Sequence, residues 1–289
     1  MTAERRGAMA ARRLLPGLAC FAGVSGAALA QRGPAAPGPA AMGVAALGDF
    51  PVVELRRYTI RDGEREHFAQ YFESWFPEAF EQLGAIAAGA FFERDHPGGF
   101  TWIRGFHTLD ARATVNAAFY YGPLWKEHKQ TLNDLILDSD NVLLLQALTP
   151  EHAVSILPAV DPVSEAGGAH GVIVVQIFAV AQNGIDALLP EAEKAFARYR
   201  TAGAREAGVL VTLDVANNFP QLPVRTDGPY LVWLGILRDD AMLDRGFRPA
   251  AEQASRALGA TGLLRGAPEL IVLDPSRRSR LRWRAEPGR

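Results

Sequence analysis

One short segment of the chain combines acidic, basic and phenolic side chains at a spacing of two residues. Glu54, Arg56 and Tyr58 alternate with apolar Val53 and Leu55 in the segment VVELRRYTI. Side chains of a β-strand point alternately to its two faces, so a strand here places the three polar groups together. Such a set could bind an anionic or carbonyl group, accept a proton, or neutralise itself.

A second polar pair lies on a segment that is expected to form a neighbouring strand. Trp102 and Arg104 share one face of the segment FTWIRGF. We expect these two side chains to line a cavity with Glu54, Arg56 and Tyr58, facing the space between two sheets, and to bind a small organic molecule. The alternative is structural: Glu54 pairs with Arg56 or Arg104 and the space is filled. The sequence leaves both interpretations open.

His128 is the remaining candidate for a ligand-binding residue. It lies three residues after Trp125 and four before Leu132 on one face of a predicted helix. A histidine in that setting is more commonly a packing residue, although it would be the candidate axial ligand if a haem were bound. The sequence contains no HExxH or CxxC motif and no phosphate-binding glycine loop. We therefore predict no metal and no cofactor.

The rest of the chain supplies the elements that position these side chains. Alternating apolar residues predict strands, and three- to four-residue spacing predicts helices, in the order β-α-β-β-α-β over 51–148. Pro77 predicts a kink or a fresh helical turn in the first helix, and Asp138-Ser139-Asp140 predicts a turn before the last strand. A linker over 149–170 precedes a second set of elements over 171–275. The predicted fold is α+β, with two ferredoxin-like repeats.

The second repeat is a partial copy of the first. The segment 100–106 aligns with 230–236, and Asp110-Ala111 aligns with Asp240-Ala241. At the places of Glu54, Arg56 and Tyr58, the second repeat has the uncharged residues Val174, Gln176 and Phe178. This asymmetry puts the predicted site in the first repeat.

The two ends of the chain carry predicted targeting and linker segments. Basic residues, a short apolar run and Ala28-Leu29-Ala30 predict a signal peptide over 1–30, and an Ala-, Pro- and Gly-rich stretch predicts a disordered linker over 31–50. We expect export to the periplasm or beyond, with a mitochondrial presequence as the alternative. Five arginines between 277 and 284 predict a solvated basic tail over 276–289.

Composition limits the partners. The 289 residues carry a net charge of −2, and 21% of them are charged. Binding of nucleic acid needs a concentrated basic surface, so we predict no such partner. The apolar run near the N-terminus is too short to span a bilayer, and no membrane-spanning segment is predicted in the mature chain. The sole cysteine, Cys20, falls within the predicted signal peptide.

Four segments together resemble the NIPSNAP family: 54–58, 100–106, 119–126 and 138–145. The resemblance implies a dimeric α/β-barrel arrangement in which two ferredoxin-like sheets pack face to face, here both from one chain. A further homodimer is left open. The barrel-type relatives that this resemblance implies include cofactor-independent monooxygenases and haem-binding proteins, which is analogy at the level of fold alone.

Three functions therefore remain in view. The first is non-catalytic binding of a small molecule. The second is a cofactor-independent monooxygenase or isomerase, with Tyr58 or Glu54 accepting a proton and Arg56 or Arg104 holding an oxyanion. The third is a haem-binding protein. The sequence does not decide whether the chain is an enzyme.

Overall fold

The computed structural model describes residues 45–284. The predicted signal peptide (1–30) and most of the predicted disordered linker (31–50) lie outside the described residues, as do residues 285–289. The end of that linker is ordered in the structure, because β1 (Ala45–Ala46) pairs with β6 (Ser155–Ile156).

The first repeat forms four strands and three helices. In chain order these are β2 (Val52–Ile60), α1 (Arg65–Gln82), β3 (Ala85–Glu93), β4 (Gly99–Phe106), α2 (Leu109–Tyr120), α3 (Pro123–Leu135) and β5 (Ile136–Ala147). Helix α1 runs through Pro77 without interruption and places phenylalanines on one face at four-residue intervals. The predicted turn at 138–140 is wrong: those residues belong to β5, which pairs with β2 through a shift of register near Thr59.

The second repeat has the same order with different lengths. It comprises β7 (Val172–Ala179), α4 (Ile185–Thr201), β8 (Arg205–Thr212), β9 (Tyr230–Leu237), α5 (Asp240–Met242), a π-helical turn (Leu243–Phe247), α6 (Arg248–Gly259) and β10 (Glu269–Pro275). Helix α4 ends at Thr201. Gly203, with φ +93°, adopts a left-handed conformation that stops the helix.

All eight long strands form one closed barrel in the order β10-β3-β4-β2-β5-β8-β9-β7. Within each repeat the first strand pairs with both the third and the fourth, as in a ferredoxin-like sheet. Two short seams, β5 with β8 and β3 with β10, join the two sheets. The predicted fold class is confirmed.

The two faces of the first-repeat sheet are the reverse of those predicted. Val53, Leu55 and Ile103 point into the barrel, where they pack with strands of the second repeat in one apolar core. Tyr58 and Trp102 pack under α1 with its phenylalanines. The predicted site residues therefore lie between sheet and helices, because two facing sheets exclude water best with apolar side chains.

The register between the two repeats also differs from the predicted one by a residue. Trp102 was aligned with Val232, but Val232 points into the barrel. Trp233 packs against the helices and pairs with Gln176, as Trp102 pairs with Arg56. The counterpart of Arg104 is therefore Gly235, which lies opposite Val174.

The arginine-rich segment near the C-terminus is not a solvated tail over its described part. Leu281 is fully buried in the barrel core, and Arg282, 2% exposed, donates to both carboxylate oxygens of Glu165 at 2.9 and 2.7 Å. The segment passes close to β3 at Gly89, where a Cβ would lie 2.2 Å from Ser279 Oγ. The prediction failed because Arg278, Arg280 and Arg282 form ion pairs with the distant residues Glu78, Glu81 and Glu165.

The closed barrel makes a prediction about the first repeat expressed alone. A fragment of residues 51–148 would expose the apolar face that carries Val53, Leu55 and Ile103, since the second repeat covers that face in the whole chain. We expect the fragment to self-associate, with size-exclusion chromatography showing dimers or larger species. A monodisperse, folded monomer would contradict the arrangement. The full chain at the same concentration serves as the control.

Candidate functional site

A single buried carboxylate holds three arginines beneath the helices of the first repeat. Glu54 Oε2 accepts hydrogen bonds from Arg56 Nη1 at 2.8 Å and from Arg104 Nε at 2.7 Å. Glu54 Oε1 accepts one from Arg112 Nε at 2.6 Å. We call these four residues the Glu54 cluster. Glu54 and Arg104 come together because they are directly opposite each other in the β2–β4 pairing.

The Glu54 cluster carries more positive than negative charge. Each of its four residues has 0% exposure. Burial alone would raise the pKa of the Glu54 carboxyl, but Arg104, Arg56 and Arg112 outweigh it and hold that pKa well below its ordinary value. The carboxyl is therefore ionised, and three guanidinium groups share one negative charge. The cluster has two positive charges in excess.

Several polar atoms around the cluster have no hydrogen-bond partner among the described residues. They are Arg104 Nη1 and Nη2, Arg112 Nη2, Trp102 Nε1 and both amide atoms of Asn116. Arg104 Nη2 lies 2.7 Å from Glu54 Oε2, without the geometry of a hydrogen bond. Buried polar atoms are rarely left unsatisfied in proteins, so these atoms would accept a further polar partner such as water, an ion or a ligand.

Aromatic rings enclose the charged groups. The Arg104 guanidinium carbon lies 4.9 Å from the ring centres of Phe80 and Trp102. Tyr58 Oη accepts a hydrogen bond from Arg56 Nε at 3.0 Å, and its ring packs edge-on to Trp102. Aromatic side chains therefore pack directly against the guanidinium groups of the cluster.

Helix α2 contributes three residues to the site that were not predicted from the sequence. Thr108 Oγ1 accepts a hydrogen bond from Ala111 N and begins the helix. Arg112, Asn116 and Tyr120 then follow at four-residue intervals on its inner face. The sequence contains a pattern from which these three residues could have been predicted, because they have the same helical spacing as the apolar residues that face the sheet.

Tyr120 brings a phenol close to the cluster. Burial raises the pKa of its hydroxyl, and the nearby Arg104 and Arg56 do not cancel that effect. The ring packs against Phe119 and Trp125, which fixes its direction. The hydroxyl therefore stays protonated at neutral pH and can donate a hydrogen bond.

The second repeat also reaches this site. Arg112 Nη1 donates to Asn217 Oδ1 at 3.0 Å and to Asn218 Oδ1 at 2.7 Å. Both asparagines belong to the connection between β8 and β9, residues 213–229. Nothing in the sequence indicated this contact, since it joins positions 105 and 106 residues apart.

His128 does not belong to the Glu54 cluster. Its Nδ1 lies 2.6 Å from Tyr71 Oη, and its ring stacks on Trp75 with centres 4.3 Å apart. Both partners are on α1, so His128 joins α3 to α1. These contacts account for His128 as a packing residue between helices. The other five predicted site residues are brought together by the β2–β4 pairing.

The matching layer of the second repeat lacks a fully buried ion pair among the described residues, although Trp233 Nε1 donates to the partly exposed carboxylate of Glu206 at 2.9 Å. Gln176 Oε1 accepts a hydrogen bond from Tyr199 Oη, and Trp233 packs against Phe196 and Phe247. At Gly235, the counterpart of Arg104, a Cβ would lie 2.3 Å from the Trp233 ring, so this ring fills the space. The fold therefore does not itself require a buried cluster of arginines in this layer.

Two further properties concern the described residues alone. None of the helices within 45–284 is long and apolar enough to cross a membrane. Over the same residues, no group of three or more His, Cys, Asp or Glu side chains is placed to hold a metal ion.

Comparison with known families agrees with the observed sheet. The NIPSNAP family model matches residues 53–149. The chain carries a NIPSNAP domain. This domain spans β2 to β5 and contains Glu54, Arg56, Arg104 and Arg112, whereas Asn217 and Asn218 lie beyond it. A search of curated proteins found no match.

Solved structures resemble either the NIPSNAP domain or the whole barrel. A NIPSNAP family protein from Agrobacterium tumefaciens C58 is 23% identical, covers 35% of this chain and 90% of its own, and has a TM-score of 0.30. An anthrone oxidase-like protein is 14% identical, with coverage of 81% and 94% and a TM-score of 0.54. A mutant chlorite dismutase from Candidatus Nitrospira defluvii is 13% identical, with 78% and 92% coverage and a TM-score of 0.44. The similarity to the anthrone oxidase-like protein, at 14% identity, shows the fold alone.

Proposed function

We propose that the protein binds a small organic anion between the sheet and the helices of its NIPSNAP domain. The observation that carries this proposal is the composition of the Glu54 cluster. Three fully buried arginines share one carboxylate, and hydrogen-bond donors of Arg104 and Arg112 remain unpartnered. A buried charge without a counter-charge is costly, so a bound carboxylate would offset one of the two excess positive charges.

The surroundings narrow the class of ligand. Asn116 offers an unpartnered acceptor and an unpartnered donor in the same amide group, one helical turn from Arg112. A ligand that uses both has a hydroxyl or similar group in addition to its carboxylate. The rings of Phe80 and Trp102 favour a flat apolar body. An aromatic carboxylate with a hydroxyl substituent fits all three features.

Binding fits the site better than proton abstraction by Glu54. A general base works best when its pKa is near the operating pH. The three arginines hold the pKa of Glu54 far below that range, and both of its oxygens already accept hydrogen bonds. Glu54 is therefore a poor proton acceptor, and its role is to position the arginines.

The export of the chain and its assembly into dimers stay predictions.

The proposed function predicts that aromatic carboxylates stabilise the protein. With benzoate or 2-hydroxybenzoate at about 100 times its Kd, the stabilisation is about 2.7 kcal/mol, which corresponds to a rise in melting temperature of about 5 °C or more. The neutral isostere benzamide is expected to give no comparable rise, because it cannot neutralise the arginines. Thermal melts with the three compounds test this directly.

Native mass spectrometry of the purified protein adds a second measurement. A co-purified organic anion, released on denaturation, would support the proposal and identify the ligand. Equal responses to benzoate and benzamide, with no co-purified molecule, would contradict it.

A further inference from the structure

We propose that Asn217 and Asn218, on the 213–229 connection of the second repeat, are positioning residues for Arg112 that keep its charge available to the ligand. The inference rests on the proposed function, because it concerns how the same site binds an anion. It assigns to the second repeat, outside the NIPSNAP domain, a part in the binding site of the first.

The two asparagine amides are fixed in orientation by their own donors. Asn218 Nδ2 donates to the Leu109 carbonyl oxygen at 2.5 Å, and Asn217 Nδ2 donates to that of Leu222 at 2.8 Å. With the nitrogens so engaged, both Oδ1 atoms point to Arg112 Nη1. Arg112 is thereby held at Nε by Glu54 and at Nη1 by the asparagines, which leaves Nη2 unpartnered.

The neutrality of these acceptors is the important property. A carboxylate at either position would satisfy Arg112 and also cancel one of the two excess positive charges of the Glu54 cluster. An amide oxygen fixes the guanidinium by hydrogen bonds while leaving its charge uncompensated. The arrangement therefore orients Arg112 without weakening the attraction of the site for an anion.

The connection that carries the asparagines packs against the NIPSNAP domain and hydrogen-bonds to it. The connection between β3 and β4 in the first repeat covers only residues 94–98, whereas the corresponding connection between β8 and β9 covers residues 213–229. Leu213 N and Arg225 N donate to the carbonyl oxygens of Leu144 and Val142 on β5, so the connection is fixed to that strand on both sides of the asparagines. Phe219, 6% exposed, packs near Tyr120 with ring centres 6.2 Å apart.

The test compares two substitutions at one position in the full chain, with benzoate as the probe. Asn218→Asp adds a negative charge, and its carboxylate, lacking a donor for the Leu109 carbonyl, is expected to turn towards Arg112. Asn218→Ala removes the acceptor without adding charge. We expect benzoate Kd to rise at least 10-fold in N218D and by a smaller factor in N218A. Isothermal titration calorimetry measures both, and thermal melts report folding.

The matched control is Asn141→Asp. Asn141 Oδ1 also accepts from an arginine, Arg225 Nη1 at 3.3 Å, but outside the Glu54 cluster. N141D is expected to bind benzoate as the parent does. If N218D does not fold, Asn217→Asp is measured in its place. Failure of both to fold would overturn the inference, since a site with excess positive charge should tolerate an added carboxylate.

The outcomes separate this inference from the proposed function. If the parent itself does not bind benzoate or 2-hydroxybenzoate and carries no co-purified anion, the proposed function fails. If the parent binds benzoate and N218D binds it equally well, only the role of the asparagines fails. Equal losses in N218D and N218A would also overturn the inference, because charge would then not matter.

Discussion

A Glu54→Gln variant is expected to lose about 3–5 kcal/mol of unfolding free energy, the cost of removing one partner from a buried ion pair. The residue is fully buried and is the carboxylate to which Arg56, Arg104 and Arg112 all donate. Glutamine keeps the shape but turns one oxygen into a donor that faces guanidinium groups. Three positive charges would then be buried together. Urea unfolding at neutral pH measures the loss.

Glu93→Gln provides the matched control on the same sheet. Glu93 is 5% exposed and accepts from Arg57 Nε and Nη2, each at 2.8 Å. Because Glu93 pairs with one partly exposed arginine on this sheet and not with three buried ones, E93Q should cost clearly less than E54Q. Equal losses in the two variants would show that the Glu54 cluster has no special charge imbalance.

The contribution of Glu54 to the free energy of unfolding depends on pH. Its pKa is lower in the folded protein than in the unfolded chain, so its contribution is fully present above the unfolded value of about 4.3. The contribution is lost progressively as the pH falls below that value, because the unfolded chain then binds the proton more readily. The difference in stability between parent and E54Q is therefore expected to narrow below about pH 4.

An Arg104→Met variant is expected to lose anion binding without losing stability. Methionine keeps the apolar stem, which packs near Phe80 and Trp102, and removes a guanidinium whose Nη1 has no partner. Glu54 retains two arginines. A hydrogen bond to a charged group contributes about 1.5–3 kcal/mol, so benzoate affinity should fall about 10- to 100-fold. The melting temperature should stay the same or rise.

Arg57→Met is the control for this variant, since Arg57 lies on the opposite face of β2. Its guanidinium pairs with Glu93 and Glu269 instead of Glu54. R57M should lower stability modestly and leave benzoate binding unchanged. If R104M instead melts far below the parent, and no anion binds to the parent, the cluster serves the fold alone.

The sequence predicted the order of elements because their periodicities are local. It also brought Glu54 and Arg104 together, since the first and third strands of a ferredoxin-like sheet are neighbours. The direction of the two faces could not be deduced in the same way. The face with Val53 and Leu55 is apolar enough to fit either beneath helices or inside a barrel, and only the closed barrel decides between them.

The rest of the site depends on contacts between distant segments. Arg112 could have been found from its four-residue spacing to Asn116, in phase with the apolar face of α2. Asn217 and Asn218 could not, because an irregular connection has no periodicity from which its position follows. The error in aligning the repeats came from matching Asp110 with Asp240, whereas matching Trp102 with Trp233 gives the observed register.

Because both repeats belong to one chain, the two halves of this barrel can accumulate different substitutions during evolution. In a barrel assembled from two identical chains, any substitution appears twice, so a destabilising substitution lowers the stability of both halves. Here the β5–β8 and β3–β10 seams join halves that mutate independently. One half could therefore keep an unstable, charge-rich interior while the other lost its charges and lengthened a connection to support it. Covalent linkage permits this division of labour, which exact two-fold symmetry forbids.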